Sequence, residues 1–181
     1  MKRLILFIAI MAIALNVSAQ DYIKSDKTAD GFRNVETTPA IFEHQTELYL
    51  TAWNYAGAPS RNVDSYYIAI MCSDQIAPWN ISAGDKAYLG LLMEDEYVEI
   101  TALLDAEPEA YETSEGTKYR TLGYYVIPKS AYDKLYKGFD RFKIDVRVNN
   151  TTPITLAVKL PFSAIEHMLM SYLEIMIVTG R

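Results

Sequence analysis

Period-two alternation of apolar and charged side chains is the feature that most constrains how this chain folds. In the run FDRFKIDVRV, Phe142, Ile144, Val146 and Val148 alternate with basic and acidic residues. Successive side chains of a β-strand point to opposite faces, so the pattern predicts a strand with one buried face and one wet face. Because antiparallel sheets tolerate a solvated face, we expect this chain to build such a sheet.

The same alternation predicts further strands along the chain. KAYLGLLM and YVEITALL are expected to form a hairpin through the polar turn Glu94-Asp95-Glu96, which lacks the glycine that tight hairpins favour. Residues 21–46 are polar and weakly patterned, and one strand is expected there, near Phe32 to Thr37. Other strands are expected at residues 47–54, 65–72, 117–127 and 154–160.

A short helix is expected after the strand at 117–127. Ser130 is positioned as its N-cap, Ala131 to Lys137 supply two turns, and Gly138 stops it. The next alternating run begins at once, so the unit reads strand, short helix, strand.

A longer helix is expected at the C-terminal end of the sequence. Ser163 and Glu166 form a capping box, and the helix is expected to run to about Val178. The tail from Glu174 is rich in β-branched residues, so a strand is the alternative there. The predicted fold class is therefore α+β: a mainly antiparallel β-sheet with a short inter-strand helix and a C-terminal helix packed on it. A β-sandwich with helical decoration is the alternative.

The first residues, MKRLILFIAIMAIALNVSAQ, have the layout of a secretory signal peptide. Lys2 and Arg3 precede an apolar run, Leu4 to Leu15, and Val17-Ser18-Ala19 supplies the small residues of a cleavage site. Residues 1–19 are thus expected to be removed on export to the periplasm or the extracellular space, leaving no membrane span. Residues 20–46 would then be a weakly patterned lead, and residues 47–181 a single globular α+β domain.

Charge and cysteine content exclude several classes of protein. Without Lys2 and Arg3 the count of Lys and Arg falls from 17 to 15 against 23 Asp and Glu, a net charge of −8. Such a surface repels phosphate backbones, so no nucleic-acid partner is expected. Cys72 is the single cysteine, so there is no disulfide framework, and it is predicted to be a buried apolar residue rather than a nucleophile.

The sequence contains no pattern that demands a metal or a cofactor. The two histidines, His44 and His167, show no ligand spacing, and no cofactor is expected. His167, Ser171 and Glu174 fall on one side of the last helix, and we interpret them as a polar stripe rather than a hydrolytic trio.

An acidic segment, DAEPEAYETSEG at residues 105–116, lies between two predicted strands. Its carboxylates could hold calcium or supply a glycosidase acid pair, but neither ligand periodicity nor a motif is present. We expect a solvated loop whose carboxylates are dispensable for folding. An exported hydrolase that uses these carboxylates is the alternative function.

Aromatic residues give the better indication of function. The chain has 14 tyrosines, and aromatic faces stack on sugars and form protein interfaces. The candidate recognition residues are Trp53, Trp79, Tyr66 and Tyr124. We therefore expect a non-enzymatic binding or accessory module with a protein or glycan partner.

The last helix carries more apolar residues than one covered face requires. We expect the excess to be buried against the sheet or in a homo-oligomer contact, with Leu173 in the core either way. Met170 and Ile177 are the candidate interface residues.

A resemblance covers residues 82–148, from SAGDKAYLGLLMEDEYVEITALLDAEPEAY through YYVIPKSAYDKLYKGFDRFKIDV. This layout of hairpin, two-turn helix and basic strand resembles small uncharacterised exported proteins of Bacteroidetes-type bacteria. The sequence departs from their pattern at Glu94-Asp95-Glu96, where a glycine turn is usual, and at Pro128, where Ser or Thr is usual. The resemblance implies that the stretch is scaffold and brings no catalytic residue with it.

Overall fold

The structure is a computed structural model that describes residues 22–29, 32–42, 46–55, 65–75, 77–148 and 151–179. The predicted signal peptide lies outside these residues, as does His44. The described part of the chain forms twelve strands: β1 Ile23–Ala29, β2 Phe32–Thr37, β3 Ala40–Phe42, β4 Thr46–Tyr55, β5 Ser65–Gln75, β6 Trp79–Asn80, β7 Lys86–Leu91, β8 Tyr97–Ala102, β9 Glu109–Thr113, β10 Gly116–Val126, β11 Phe139–Val148 and β12 Ile154–Lys159. A 3₁₀ turn, Lys129–Ala131, leads into helix α1, Tyr132–Leu135, and helix α2 is Phe162–Thr179.

The strands form one antiparallel sheet in the order β1-β2-β4-β5-β10-β8-β7-β11-β12. Three short strands lie outside this order: β3 pairs with β4, β9 with β10 and β6 with β11. The predicted α+β class is confirmed. The sandwich alternative is wrong, because the strands follow one another in a single sheet instead of dividing into two facing ones.

The β7–β8 hairpin follows its hydrophobic pattern. Ala87 pairs with Ile100 and Leu89 with Val98, and all four side chains are buried. The turn between the strands has no glycine, and Met93 adopts the left-handed conformation instead, with φ of 63°. A non-glycine residue there is uncommon, so the turn carries a local backbone cost that the paired strands offset.

Strand β6 and helix α2 turn the sheet into a curled layer around one core. Asn80 and Trp79 of β6 pair with the end of β11, and the Thr121 hydroxyl of β10 donates to the Trp79 carbonyl at 2.7 Å. Strand β6 thus links β10 to the end of β11, beyond the last residues that pair with β7. Helix α2 covers the other end of the core, packing on β4 and β3 and also touching β1, β2 and β11. The largest fully buried side chains between these elements are Tyr66, Tyr125, Phe142, Ile68, Ile70, Leu89, Leu91, Ile100, Ile127, Ile144 and Met168.

The connection from β10 to β11 confirms the predicted unit of strand, short helix and strand. Its helical part is shorter than expected, and the residue at the start of the 3₁₀ turn is Pro128, with no side-chain cap. The prediction of Ser130 as N-cap is therefore wrong. Gly138 ends the unit with φ of +75°, a conformation that favours glycine.

Three further features differ from expectation or resolve an alternative. The polar lead contributes β1 and β3 in addition to the predicted β2, so it is an integral edge of the sheet. The acidic segment is only partly a loop, because β9 pairs with β10 from Thr113 opposite Gly116 to Glu109 opposite Arg120. The tail from Glu174 is helical as far as Thr179.

Candidate functional site

The polar stripe of α2 faces the N-terminal strands and anchors the helix. The Nε2 of His167 lies 2.9 Å from the Thr38 carbonyl oxygen, which only accepts, so this nitrogen donates. The Glu174 carboxylate accepts a hydrogen bond from the backbone N–H of Tyr22 at 2.9 Å. Ser171 is fully buried, and its hydroxyl has no hydrogen-bond partner among the described residues. His167 and Glu174 thus bind separate backbone groups beside β2 and β1, and Ser171 bonds to neither of them, as expected for a structural stripe rather than a catalytic trio.

Because this polar stripe faces the N-terminal strands, an apolar row lies on the outer side of α2. Ile177 is 76% exposed, Phe162 55% and Leu173 40%, while Met170 is half-buried. The prediction that Leu173 lies in the core is wrong, because the hydrogen bonds of His167 and Glu174 set the helix rotation. Arg33 strengthens this anchoring by donating to the Val178 carbonyl at 3.3 Å, close to the negative end of the helix dipole.

By length and composition alone, α2 has what a membrane-spanning helix requires: 18 residues with a mean hydropathy of 1.2. Core helices of globular proteins pass the same test, and 39% of the α2 segment is buried inside the fold. Its hydrogen bonds to Tyr22 and to Arg33 of β2, and the packing of Met168 and Ile175 in the core, make it part of the domain.

Of the four aromatic recognition candidates, one is excluded by burial. Tyr66 is fully buried, its hydroxyl lies 2.8 Å from that of Thr179, and its backbone N–H donates to the Tyr132 hydroxyl at 3.2 Å. It is on the core face of β5, so its selection as a recognition residue is wrong. Trp79 is partly buried and packs against the core. Trp53 lies in β4, but its side chain is outside the described part.

Tyr124 is the candidate that lies at a surface concavity. The register of β10 and β5 places Tyr124 opposite Ala69 and Leu122 opposite Met71, on the face turned away from the core. Partial burial raises the pKa of the Tyr124 hydroxyl, and the negative charge of Glu36 adds to the effect. The concavity has a volume of about 420 Å³ and is lined by apolar and polar side chains: Met71, Leu104, Leu122, Tyr124, Asp105, Glu107, Glu109 and Arg120.

The acidic segment supplies the polar wall of this concavity, and each of its three carboxylates there has a partner. Glu109 accepts two hydrogen bonds of 2.9 Å from the Arg120 guanidinium, across the β9–β10 hairpin. Glu107 accepts from the Asn80 side-chain amide, and Asp105 accepts from the backbone N–H of Ala83 at 2.7 Å. The segment predicted as a loop is therefore partly structured, while its carboxylates are exposed to solvent as expected.

The pairing with Arg120 does not suit Glu109 to the role of a general acid. A general acid at neutral pH requires a carboxyl group with a raised pKa. The hydrogen bonds from Arg120 instead lower the pKa of Glu109, which keeps that group ionised. The wall thus offers fixed hydrogen-bond acceptors beside the apolar surface of Leu104 and Leu122.

The surroundings of Cys72 suppress its reactivity as a nucleophile. Burial raises the pKa of the Cys72 thiol to about 11, so the reactive thiolate is scarce at neutral pH. The described residues hold no cluster of three or more His, Cys, Asp or Glu side chains placed to bind a metal ion.

Comparison with known proteins adds no relative, because no protein-family model, curated protein or solved structure matches this chain.

Proposed function

We propose that this protein is an exported, non-enzymatic binding module and that the concavity beside Tyr124 is its ligand site. The observation that carries the proposal is that apolar and polar side chains line the same concavity of about 420 Å³. Ligand sites of this size combine an apolar lining with a few oriented polar groups. The mature chain begins at Gln20, after the small residues of the leader.

The ligand class that fits best is a saccharide with neutral or amino substituents. Tyr124 supplies an aromatic surface and Leu122 an aliphatic one, against which the apolar face of a sugar ring packs. Asp105 and Glu107 accept from hydroxyl or ammonium groups, while Arg120 donates. The negative wall disfavours an acidic sugar at this position.

The alternative function, an exported hydrolase, requires two of these carboxyl groups to act as a pair, one as general acid and the other as nucleophile or as the base that activates water. Glu109 is committed to Arg120, and its pKa is shifted downward, away from the value that a general acid requires. Binding without turnover is therefore the stronger proposal.

Calorimetric titration of the mature protein with a panel of neutral, amino and acidic saccharides tests the proposal. We expect Tyr124→Ala to weaken binding by about tenfold or more, because the stacking surface is lost. The matched control is Tyr136→Ala, since Tyr136 is exposed in the β10–β11 connection and outside the concavity. Binding that is equal in both variants, or no binding at all, would overturn the proposed site. Release of cleaved saccharide would instead support the alternative function, an exported hydrolase.

A second proposal concerns the outer row of α2, where Phe162, Leu173 and Ile177 are exposed on one side of the helix. We propose that a second copy of the chain covers this row. The α2 sequence FSAIEHMLMSYLEIMIVT has no lysine or arginine, so nothing in it attracts an anionic lipid or an acidic partner. An apolar row without opposing charges can pack against the same row of a second copy, which is the arrangement of a two-fold interface.

A further inference from the structure

Away from the Tyr124 concavity, the outer face of the sheet carries a second cleft of opposite charge. Strand register places Tyr97 opposite Gly90, Gly90 opposite Arg141, and Arg141 opposite Lys159, in one row across β8, β7, β11 and β12. Lys143 lies two residues further along β11, on the same face. These side chains line a cleft of about 410 Å³.

The side chain of Arg141 lies across the strand that separates it from Tyr97. A Cβ atom at Gly90 would come within 2.4 Å of the Arg141 Cγ, so only glycine leaves room for this path. The Nε of Arg141 donates to the Tyr97 hydroxyl at 3.0 Å, and Nη2 donates to the Glu94 carbonyl at 2.6 Å. Asp140 accepts from Nη1 at 2.7 Å. The guanidinium is therefore held in place before any ligand arrives.

Two lysines complete the cleft without a carboxylate partner of their own. The Lys143 ammonium lies 4.5 Å from the centroid of the Tyr97 ring, a cation–π distance. Neither Lys143 nor Lys159 forms an ion pair among the described residues. In the adjacent row, Glu99 is paired with Lys86 at 2.8 Å. On β11, Asp145 accepts from Thr155 at 2.6 Å.

The cleft is thus lined by three cations, Arg141, Lys143 and Lys159, against one carboxylate, Asp140. This local excess of two positive charges contrasts with the acidic character of the whole chain, which has 17 Lys and Arg against 23 Asp and Glu. Ala157, opposite Lys143 on β12, contributes only a methyl group, so its position stays open beside the ammonium.

We propose that this cleft binds a small oxyanionic ligand, a carboxylate or sulfate group carried on a molecule of monosaccharide size. Lys143 and Lys159 form the charge-assisted hydrogen bonds to the anion, and the locked Arg141 contributes positive potential from one side. The inference does not rest on the proposed saccharide site at Tyr124, because it uses different strands and the opposite charge.

Calorimetry with glucuronate, glucose and inorganic sulfate tests the proposal on the mature protein at low ionic strength. We expect glucuronate to bind more tightly than glucose. Lys143→Met with Lys159→Met should weaken glucuronate binding by about tenfold or more, since both charged contacts are lost while the aliphatic stems remain. Sulfate that competes with glucuronate supports recognition of the oxyanion itself. Failure of sulfate to compete would overturn it.

Two control variants test whether a loss of glucuronate binding comes from this cleft, from the Tyr124 concavity or from the removal of a positive charge elsewhere. Lys129→Met removes an exposed positive charge from the 3₁₀ turn outside the cleft and should leave glucuronate binding unchanged. Tyr124→Ala should also leave it unchanged. Equal glucose and glucuronate affinities, or equal losses in the double variant and the Lys129 control, would overturn the proposal.

Discussion

The hydroxyl groups of Tyr66 and Thr179 lie 2.8 Å apart inside the protein, although 113 residues separate them in the chain. The contact joins the core face of β5 to the last turn of α2. Thr179 also donates to the Ile175 carbonyl at 2.6 Å, so the helix end and the strand share one polar link in an apolar setting. Buried hydrogen bonds of this kind specify how an element is seated as well as stabilising it.

Removing that link should destabilise the fold by a measurable amount. Tyr66→Phe is expected to lower the free energy of unfolding by about 1 kcal/mol, and Thr179→Val by about 1–2 kcal/mol, because the second change also removes the bond from Thr179 to the Ile175 carbonyl. Urea denaturation of both single variants and the double variant measures the coupling. Tyr136→Phe, at an exposed position, is the control and should change stability by less than about 0.5 kcal/mol. Strictly additive losses would contradict the link.

Ser171→Ala should leave stability unchanged or raise it. The Ser171 hydroxyl is fully buried without a partner among the described residues, and an unsatisfied polar group in the interior costs about 1–3 kcal/mol. Alanine removes the group without opening a large cavity and also has the better helix propensity. The measurement is the midpoint of thermal unfolding. A loss of more than about 1 kcal/mol would mean that the hydroxyl binds an ordered water molecule.

The carboxylates of the Tyr124 concavity should be dispensable for folding. Glu107→Gln with Glu109→Gln is expected to change the free energy of unfolding by less than about 0.5 kcal/mol, because exposed ion pairs contribute little. Saccharide affinity should fall in the same variant. A large loss of stability, or a melting temperature that depends on calcium, would instead indicate a structural ion site.

Cys72 should react slowly in the folded protein. Its pKa is about 11 in the fold against an ordinary 9.0, so at pH 8 the thiolate fraction is roughly 100-fold smaller than in the unfolded chain. Iodoacetamide labelling with and without urea, followed by mass spectrometry, measures the ratio. Comparable rates in both states would contradict the shielding of the half-buried thiol.

The same pKa shift has a defined effect on stability. Below pH 9 the thiol is protonated in both states and contributes no pH dependence. As pH rises from about 9 to 11 the unfolded chain loses the proton first, so stability falls across that window. Cys72→Ala should flatten this part of the profile, which denaturation at a series of pH values will reveal.

Self-association through α2 predicts a change of mass. Leu173→Glu with Ile177→Glu should leave the circular dichroism spectrum intact and convert a dimer to a monomer in multi-angle light scattering, because the charges would be buried at a two-fold contact. Tyr136→Glu is the matched control at an exposed residue outside α2. A wild type that is monomeric at high concentration would reject the contact.

Strands with a buried face were predictable, and strands without one were not. β11 and the β7–β8 hairpin alternate because one face meets the core. β1, with the sequence IKSDKTA, is an edge strand whose residues Lys24 and Asp26 are exposed, so no hydrophobic period marks it. The β9 strand is similar, since its residues range from half-buried to exposed.

The two candidate sites were predictable only in part, because each depends on pairing between distant segments. Tyr124 and the acidic residues stood out by composition, but their meeting requires the register of β10 with β5 and β9. The basic cleft was harder to predict, since Arg141 and Lys143 are ordinary residues of a solvent-facing strand surface. Only the placement of Lys159 opposite Arg141, and of Tyr97 across Gly90, turns them into a cluster.

The hydrogen bond between Tyr22 and Glu174 can form only after the ribosome has made the last part of the described chain. The two residues are 152 positions apart, so a ribosome working at roughly 5–20 residues per second adds Glu174 about 8–30 s after Tyr22. Once Tyr55 has been made, β1 to β4 can pair with one another, but α2 is still absent for most of that interval. Chaperone occupancy of the nascent chain should therefore persist until its final segment emerges.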